Sequence, residues 1–341
     1  MKRAILLMFG IIVLALIPIY AATAPAVTEV SEFDIIAAAA DDYLNDPDTV
    51  LNISSQSLLA EMLSDGPFIL SCRSATDYAT GHIPGAVNMA GSTIFERENL
   101  DKLPGDSKIV VYCYTGHSGS HLTALLNICG YDTSNLTWGI MGWTKDTTVA
   151  NKQFSNPTTD LPTETTVNEV TLTYELPVVE NTSSTDEAEI IRAACYNYAS
   201  AGFKNISAAD LYALITDADA ANDPVILSVR SAADYAAGHI PGAINIALGN
   251  IAKIENLRKL NPDKQIVVYC YTGRTGSQAT AILNALGYDA VNLLWGISGW
   301  TTDPVAASKR FNPDTSVDYP FETGAGEEAP TEPSSGGGGC S

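Results

Sequence analysis

The 341-residue chain carries 18 Lys and Arg against 39 Asp and Glu, a formal net charge of −21, with 46% hydrophobic and 17% charged residues. This is the composition of a chain that buries cores, not of a disordered one, and its length suits two domains. The scarcity of cations argues against nucleic acid and against charge-driven membrane binding, both of which need Lys and Arg on phosphates, and the acidic surface repels anions at long range, so an anionic substrate must be caught locally.

At the N-terminus Lys2 and Arg3 precede an unbroken apolar or small-residue run from Ala4 to Tyr20, and Ala24-Pro25-Ala26 offers small residues at alternate positions. The pattern predicts a signal peptide over 1–26 and an exported chain, periplasmic, at the cell surface or extracellular. An uncleaved anchor is the alternative, and contact with a membrane is expected only in that case or if the C-terminal tail is anchored.

Beyond residue 26 the chain repeats itself. Gly81-His82-Ile83-Pro84-Gly85-Ala86 returns as Gly238 to Ala243, Cys113-Tyr114-Thr115-Gly116 as Cys270 to Gly273, and Trp138-Gly139-Ile140-Met141-Gly142-Trp143 as Trp295 to Trp300, each 157 residues later. Three separated blocks in one register mean a duplicated domain, not a short-period solenoid. The expected organisation is domain 1 over 27–160, a linker over 161–184, domain 2 over 185–322 and a disordered tail rich in Gly, Pro and Glu over 323–341. Within the Thr-, Pro- and Asn-rich region between the copies, Val170 to Leu176 reads as an optional extra strand. The glycine run ending in Cys340 has a second reading as an attachment or processing signal.

In the second copy, Ser207 caps a helical pattern over Ala208 to Ile215, and Pro224 to Ser228 reads as a buried strand. Ala232 to Ala237 makes a helical turn before a bend fixed by Pro241 and Gly242. Ile266 to Tyr269 is apolar and β-branched, as a central parallel strand should be, and a helix is expected from about Ser277 to Leu286. Strands separated by such helices imply an α/β fold, a small parallel sheet flanked by helices in each copy.

The chemistry lies after the central strand. One loop reads Cys113-Tyr114-Thr115-Gly116-His117-Ser118-Gly119 and the other Cys270-Tyr271-Thr272-Gly273-Arg274-Thr275-Gly276. A tight turn between a strand end and a helix N-terminus aims successive backbone N–H groups at one point, which lowers a thiol pKa and makes a nucleophile at neutral pH. Cys72 and Cys129 stand where the other copy has Val229 and Leu286, and Cys195 lies in an apolar helical stretch, so these three read as packing residues. The His82 and His239 pair, one in each copy of the same bend, reads as structural; no metal-ligand cluster and no cofactor are expected.

With these motifs in order, from Arg73-Ser74-Ala75-Thr76-Asp77-Tyr78 and its copy at Arg230 through the Cys loops to Trp143 and Trp300, the chain resembles a tandem rhodanese of the sulfurtransferase family. The resemblance implies that the loop thiolate takes the outer sulfur of a donor such as thiosulfate as a persulfide, and that a thiol or a protein acceptor then removes it. Carried over by position, Cys113 and Cys270 are the nucleophiles. Tyr114, Thr115, Gly116, His117, Ser118 and Gly119, with Tyr271, Thr272, Gly273, Arg274, Thr275 and Gly276, form the substrate cradles. The sequence departs from the family in keeping both cysteines, in Trp138 and Trp295 where Gly is usual, and in Ser71 and Ser228 where an acid is common.

Arg73 with Asp77 and Arg230 with Asp234 read as structural ion pairs. Arg274, permanently charged, is expected to make the second domain the better user of thiosulfate, and His117 to let the first gain activity below about pH 6.5. Phosphatases built on a related loop carry Arg six residues after the Cys, where this chain has Gly119 and Gly276. The remaining alternative is an exported persulfide carrier or interaction module with little turnover of small donors.

Overall fold

The computed structural model describes residues 30–64, 66–155 and 160–325. The expected signal peptide and residues 326–341, including Cys340, lie outside the described residues. Among the described residues no helix is long and apolar enough to cross a membrane.

The first repeat runs α1 (Glu32–Asn45), β1 (Asn52–Ile53), α2 (Ser55–Met62), β2 (Phe68–Ser71), α3 (Ala75–Thr80), β3 (Val87–Asn88), α4 (Arg97–Leu100), β4 (Ile109–Tyr112), α5 (His117–Ile128) and β5 (Thr133–Leu136). The second runs α6 (Glu187–Ala201), β6 (Asn205–Ile206), α7 (Ala208–Thr216), β7 (Val225–Ser228), α8 (Ala232–Ala237), β8 (Ile244–Asn245), α9 (Ile254–Leu257), β9 (Ile266–Tyr269), α10 (Arg274–Ala285), β10 (Ala290–Leu293) and α11 (Ile297–Trp300). Helix starts follow side chains that accept a hydrogen bond from an orphan N–H: Ser31, Ser54 and Ser74 in the first repeat, Asp186, Ser207 and Ser231 in the second.

Each repeat forms a five-stranded, all-parallel sheet, in the order β1-β5-β4-β2-β3 and again β6-β10-β9-β7-β8. The central strands Ile109–Tyr112 and Ile266–Tyr269 are buried throughout, as a parallel strand covered on both faces must be. The outer face of each sheet has its own core, around Tyr112 and Trp143 in one repeat and Tyr269 and Trp300 in the other. The inner faces share a single core, in which Phe33, Ile36, Leu122 and Leu125 meet Tyr198, Ala279 and Ile282. There α5 packs on α10 and α1 on α6.

The repeats also exchange their trailing segments. After the first repeat, Leu161 N–H donates to Trp300 O, Trp300 Nε1 donates to Pro162 O, and Glu164 exchanges backbone hydrogen bonds with His239. After the second, Tyr319 N–H donates to Trp143 O, Trp143 Nε1 donates to Pro320 O, and Glu322 exchanges the same pair with His82. Val170 to Leu176 forms no strand; here Tyr174 N–H donates to Arg258 O at 2.7 Å and no ladder develops. The helix expected from about Ser277 begins earlier, at Arg274, because Gly273 in a left-handed conformation caps it.

Candidate functional site

Two thiols lie at the carboxyl ends of the central strands, at the crevice that open parallel sheets present to ligands. Gly116 takes φ 89° and Gly273 φ 87°, a region that side chains disfavour. A Cβ on Gly116 would also stand 3.1 Å from Trp138 N and 3.3 Å from Leu136 O. The turn folds the loop onto its cysteine: Gly116 N–H donates to Cys113 Sγ at 3.1 Å, and Gly273 N–H to Cys270 Sγ at 3.1 Å. Both cysteines are 2% exposed, so an incoming sulfur must reach them through the loop mouth.

Burial, the largest influence on Cys113, raises its pKa. Hydrogen bonding from the Cys72 thiol and from the N–H groups of Gly119, Thr115 and Gly116 more than offsets it, bringing the thiol down to about 6. Cys72 moves the other way. Its interaction with Cys113, and then burial, push it well above the ordinary thiol value, so it stays protonated.

Gly119 and Gly276 let the first turn of α5 and α10 press against the neighbouring strand, since a Cβ on either would come within 2.6 Å of Asn135 Oδ1 or Asn292 Oδ1. A larger residue here would have to displace the Asn135 or Asn292 side chain, which gives the Gly in the phosphatase arginine's place a packing reason. Tyr114 OH donates to Asp77 Oδ2 at 2.5 Å, and Tyr271 OH to Asp234 Oδ2, fixing the loop rings. Lys152 Nζ lies 3.7 Å from the Tyr114 ring centroid and Lys309 Nζ 3.9 Å from that of Tyr271. These are local cations on an acidic protein. Ser118 and Thr275 are half buried in the first turns of α5 and α10.

The residue after each loop glycine reaches into the other repeat. Trp295 N–H donates to His117 Nε2 at 3.3 Å, and the two rings meet edge to face at 4.7 Å. Thr115 Oγ1 lies 2.9 Å from His117 Nδ1. The Arg274 guanidinium lies 3.9 Å over the Trp138 ring. Trp138 and Trp295 have φ of 68° and 64°, the only positive values for non-glycine residues among the described residues. That conformation costs on the order of 1–2 kcal/mol each, and the crossed stacking offsets it.

Burial, then the Arg274 charge, hold His117 at about 3. The expected acid gain in the first domain therefore has no titrating histidine behind it near pH 6.5. Burial lowers Arg274 to about 10 against the attraction of Cys270, and its Nη1 is sealed from solvent with no hydrogen-bond partner among the described residues.

The expected Arg–Asp ion pairs are replaced by other bonds. Arg73 donates to Gly81 O at 2.6 Å and Val149 O at 2.8 Å, and Arg230 to Gly238 O at 2.6 Å and Ala306 O at 3.0 Å. These buried arginines tie distant loops together, while Asp77 and Asp234 anchor the loop tyrosines. His82 and His239 stack on Tyr78 and Tyr235 and place Nδ1 3.0 and 2.7 Å from those residues' carbonyls.

Sequence reasoning missed three residues of this site. Cys72 was hidden because its counterpart is Val229, whereas Lys152 and Lys309 share the 157-residue offset and so carried a usable signal.

A family model described as "Rhodanese-like domain" matches residues 55–146 and 207–303. Bacillus subtilis YrkF, named as a candidate sulfur carrier protein, is 35% identical over 22% of this chain and 40% of its own length. The thiosulfate sulfurtransferase GlpE of Pseudomonas fluorescens is 35% identical over 23% of this chain and 71% of its own. The human thiosulfate:glutathione sulfurtransferase is 30% identical over 26% and 84%. The chain spans less than half the length of the first of these relatives and most of the other two.

Proposed function

We propose that this chain, which belongs to the rhodanese-like domain family, moves sulfane sulfur from a donor such as thiosulfate to a thiophilic acceptor through a cysteine persulfide. The observation that carries the reading is Cys113, lowered to about 6 and bonded by Gly116 N–H at 3.1 Å in a loop whose N–H groups favour an anionic sulfur. The thiolate attacks the outer sulfur of thiosulfate, sulfite leaves, and the N–H groups that held the thiolate hold the persulfide anion. Cys270, in the same geometry, does the same in the second repeat.

Arg274, Lys152 and Lys309 draw the sulfonate end of the donor to the loop mouths, each a local cation on a chain of net charge −21. Tyr114, Thr115 and His117, with Tyr271 and Thr272, shape the walls. The acceptor is a thiol or a protein persulfide acceptor. The reading includes export, on the basic start at Lys2 and Arg3 followed by the apolar run.

A second reading, a carrier that takes persulfide from a protein donor, is supported by the similarity to YrkF, named as a candidate sulfur carrier protein and 35% identical over 40% of its length. Incubation of the full chain with thiosulfate, followed by intact mass and peptide mapping, separates the two. A gain of about 32 Da, one sulfur, on Cys113 or Cys270 with one sulfite released supports the transferase. Free thiols on a folded chain after that incubation overturn it in favour of the carrier.

A further inference from the structure

The two loops are alike, yet their surroundings differ by one thiol. In the first repeat Ser71 pairs with Tyr112 across β2 and β4, and the ladder continues with Cys72 N–H donating to Tyr112 O at 3.0 Å. Cys72 and Cys113 are therefore the next neighbours across the two strands, with side chains on the same face of the sheet. Adjacent strands lie about 4.8 Å apart, inside the roughly 4.4–6.8 Å between Cα atoms that a disulfide spans. Cys72 Sγ lies 3.4 Å from Tyr112 O, the carbonyl that joins directly to Cys113, so it already lies against the base of the loop. In the second repeat Val229 N–H makes the equivalent bond to Tyr269 O at 2.9 Å, and a methyl group stands where the thiol would be.

We infer that Cys72 is a resolving thiol: it attacks Cys113 Sγ of the Cys113 persulfide, closes a Cys72–Cys113 disulfide and releases the outer sulfur as hydrosulfide. The inference rests on the persulfide reading above. The Cys72–Cys113 sulfur–sulfur bond forms as the bond between Cys113 Sγ and the outer sulfur breaks. The Cys72 proton leaves with that sulfur, so a persulfide anion and a thiol become a disulfide and HS⁻. Two protein thiols are oxidised by two electrons and the sulfane sulfur is reduced to sulfide. No outside oxidant enters the step, and a dithiol reductant returns the pair to its starting state. The first repeat thus gives up sulfur as sulfide, whereas the second, with Val229, keeps it as a persulfide for an acceptor thiol. Cys72 is held protonated while Cys113 is a thiolate; once Cys113 is a persulfide anion, its outer sulfur takes the Cys72 proton, and the Cys72 thiolate so formed attacks Cys113 Sγ as HS⁻ departs.

The test is a single turnover of the full chain carrying Cys270→Ser, with thiosulfate and no reductant, reading sulfite, sulfide and the protein mass. The expected result is about one sulfite and one sulfide per chain, a loss of about 2 Da and a linked Cys72–Cys113 peptide pair. With Cys72→Val added, which installs the residue of the second repeat, the expected result is about one sulfite, no sulfide and a retained gain of about 32 Da on Cys113. Sulfite with a stable persulfide and no sulfide in the chain that keeps Cys72 overturns the resolving role and leaves the transferase standing. No sulfite from either protein, both folded by circular dichroism, overturns the transferase reading and this inference with it. Sulfide release that persists in Cys72→Val overturns the assignment to Cys72.

Discussion

His117 of the first repeat accepts a hydrogen bond at its Nε2 from the backbone N–H of Trp295 in the second, 3.3 Å away. Burial and the Arg274 charge hold this imidazole neutral, at about 3, so the group that titrates near neutrality in the first loop is Cys113, at about 6. The reactive species is the thiolate, whose population falls as pH drops through that value. In a Cys270→Ser chain, the iodoacetamide alkylation rate at Cys113 should be flat above about pH 7.5, halve near pH 6 and show no rise on the acid side. A rate that increases below pH 6.5 would mean that His117 protonates after all.

Cys72 takes part in setting that value, through hydrogen bonding to Cys113. Replacing it by Val removes a donor to the thiolate and leaves the burial that raises the pKa, so the alkylation midpoint of Cys113 should move up toward the ordinary thiol value of about 8.5. The same titration in a Cys72→Val, Cys270→Ser chain checks this. An unmoved midpoint would show that the backbone N–H groups suffice.

Much of the fold was legible in the sequence, because the elements that carry it obey local rules. Ser207 caps its helix, Ala232–Ala237 is helical, and the β-branched Ile266–Tyr269 is the central strand of its sheet. The duplication also marked both cysteine loops before any coordinates. What it concealed is how the copies meet. A repeat offset describes each copy alone, so it assigned His117 and Arg274 to their own loops, whereas packing of α5 on α10 sends each toward the Trp of the other repeat. Comparison of the copies also worked against Cys72, since a thiol replaced by Val looks like packing until strand pairing puts it beside Cys113. The Arg73 and Arg230 partners were missed for a related reason: the carbonyls of Val149 and Ala306 lie 76 residues away and carry no sequence signature.

Those buried arginines make a stability prediction. Arg230 is 1% exposed and satisfies the carbonyls of Gly238 and Ala306 from distant parts of the second repeat. Arg230→Met fills similar volume but leaves both acceptors bare, each costing about 1–3 kcal/mol. Urea unfolding should show a loss of about 2–6 kcal/mol, with the loss confined to a transition of the second repeat if the repeats melt separately. A loss below about 1 kcal/mol would mean that water replaces the guanidinium.

Two buried histidines should make the fold sensitive to mild acid. His117 and His121 are each held at about 3, chiefly by burial, against about 6.5 in an unfolded chain. Between these values the unfolded state binds more protons, so stability is full above pH 6.5 and declines as pH falls toward 3. Each contributes a loss of about 2 kcal/mol between pH 6.5 and 5, a range in which the carboxylates are still ionised. Cys113, at about 6 against about 8.5 unfolded, loses a similar amount between pH 8 and pH 5, so the difference in urea stability between those values should shrink by about a third in His121→Leu. An unchanged difference would assign the acid sensitivity elsewhere.

The contact between α5 and α6 can be trapped chemically. Cys129 Sγ, at the end of α5, lies 3.5 Å from Cys195 Sγ in α6, and Cys129 is only half buried. A small-molecule disulfide oxidant reaches Cys129 first, and the mixed disulfide then exchanges with the adjacent Cys195, expelling the small thiol. The resulting link closes a 66-residue loop, for which chain-entropy arguments give about 4 kcal/mol of stabilisation less any native strain. In a chain carrying Cys113→Ser and Cys270→Ser, which removes the reactive loop thiols, oxidation should therefore raise the melting temperature and give a linked Cys129–Cys195 peptide pair, and Cys195→Ala should abolish both effects. A mixed disulfide that persists on Cys129 in the chain that keeps Cys195 would show that the two helices do not approach in solution as closely as they do here.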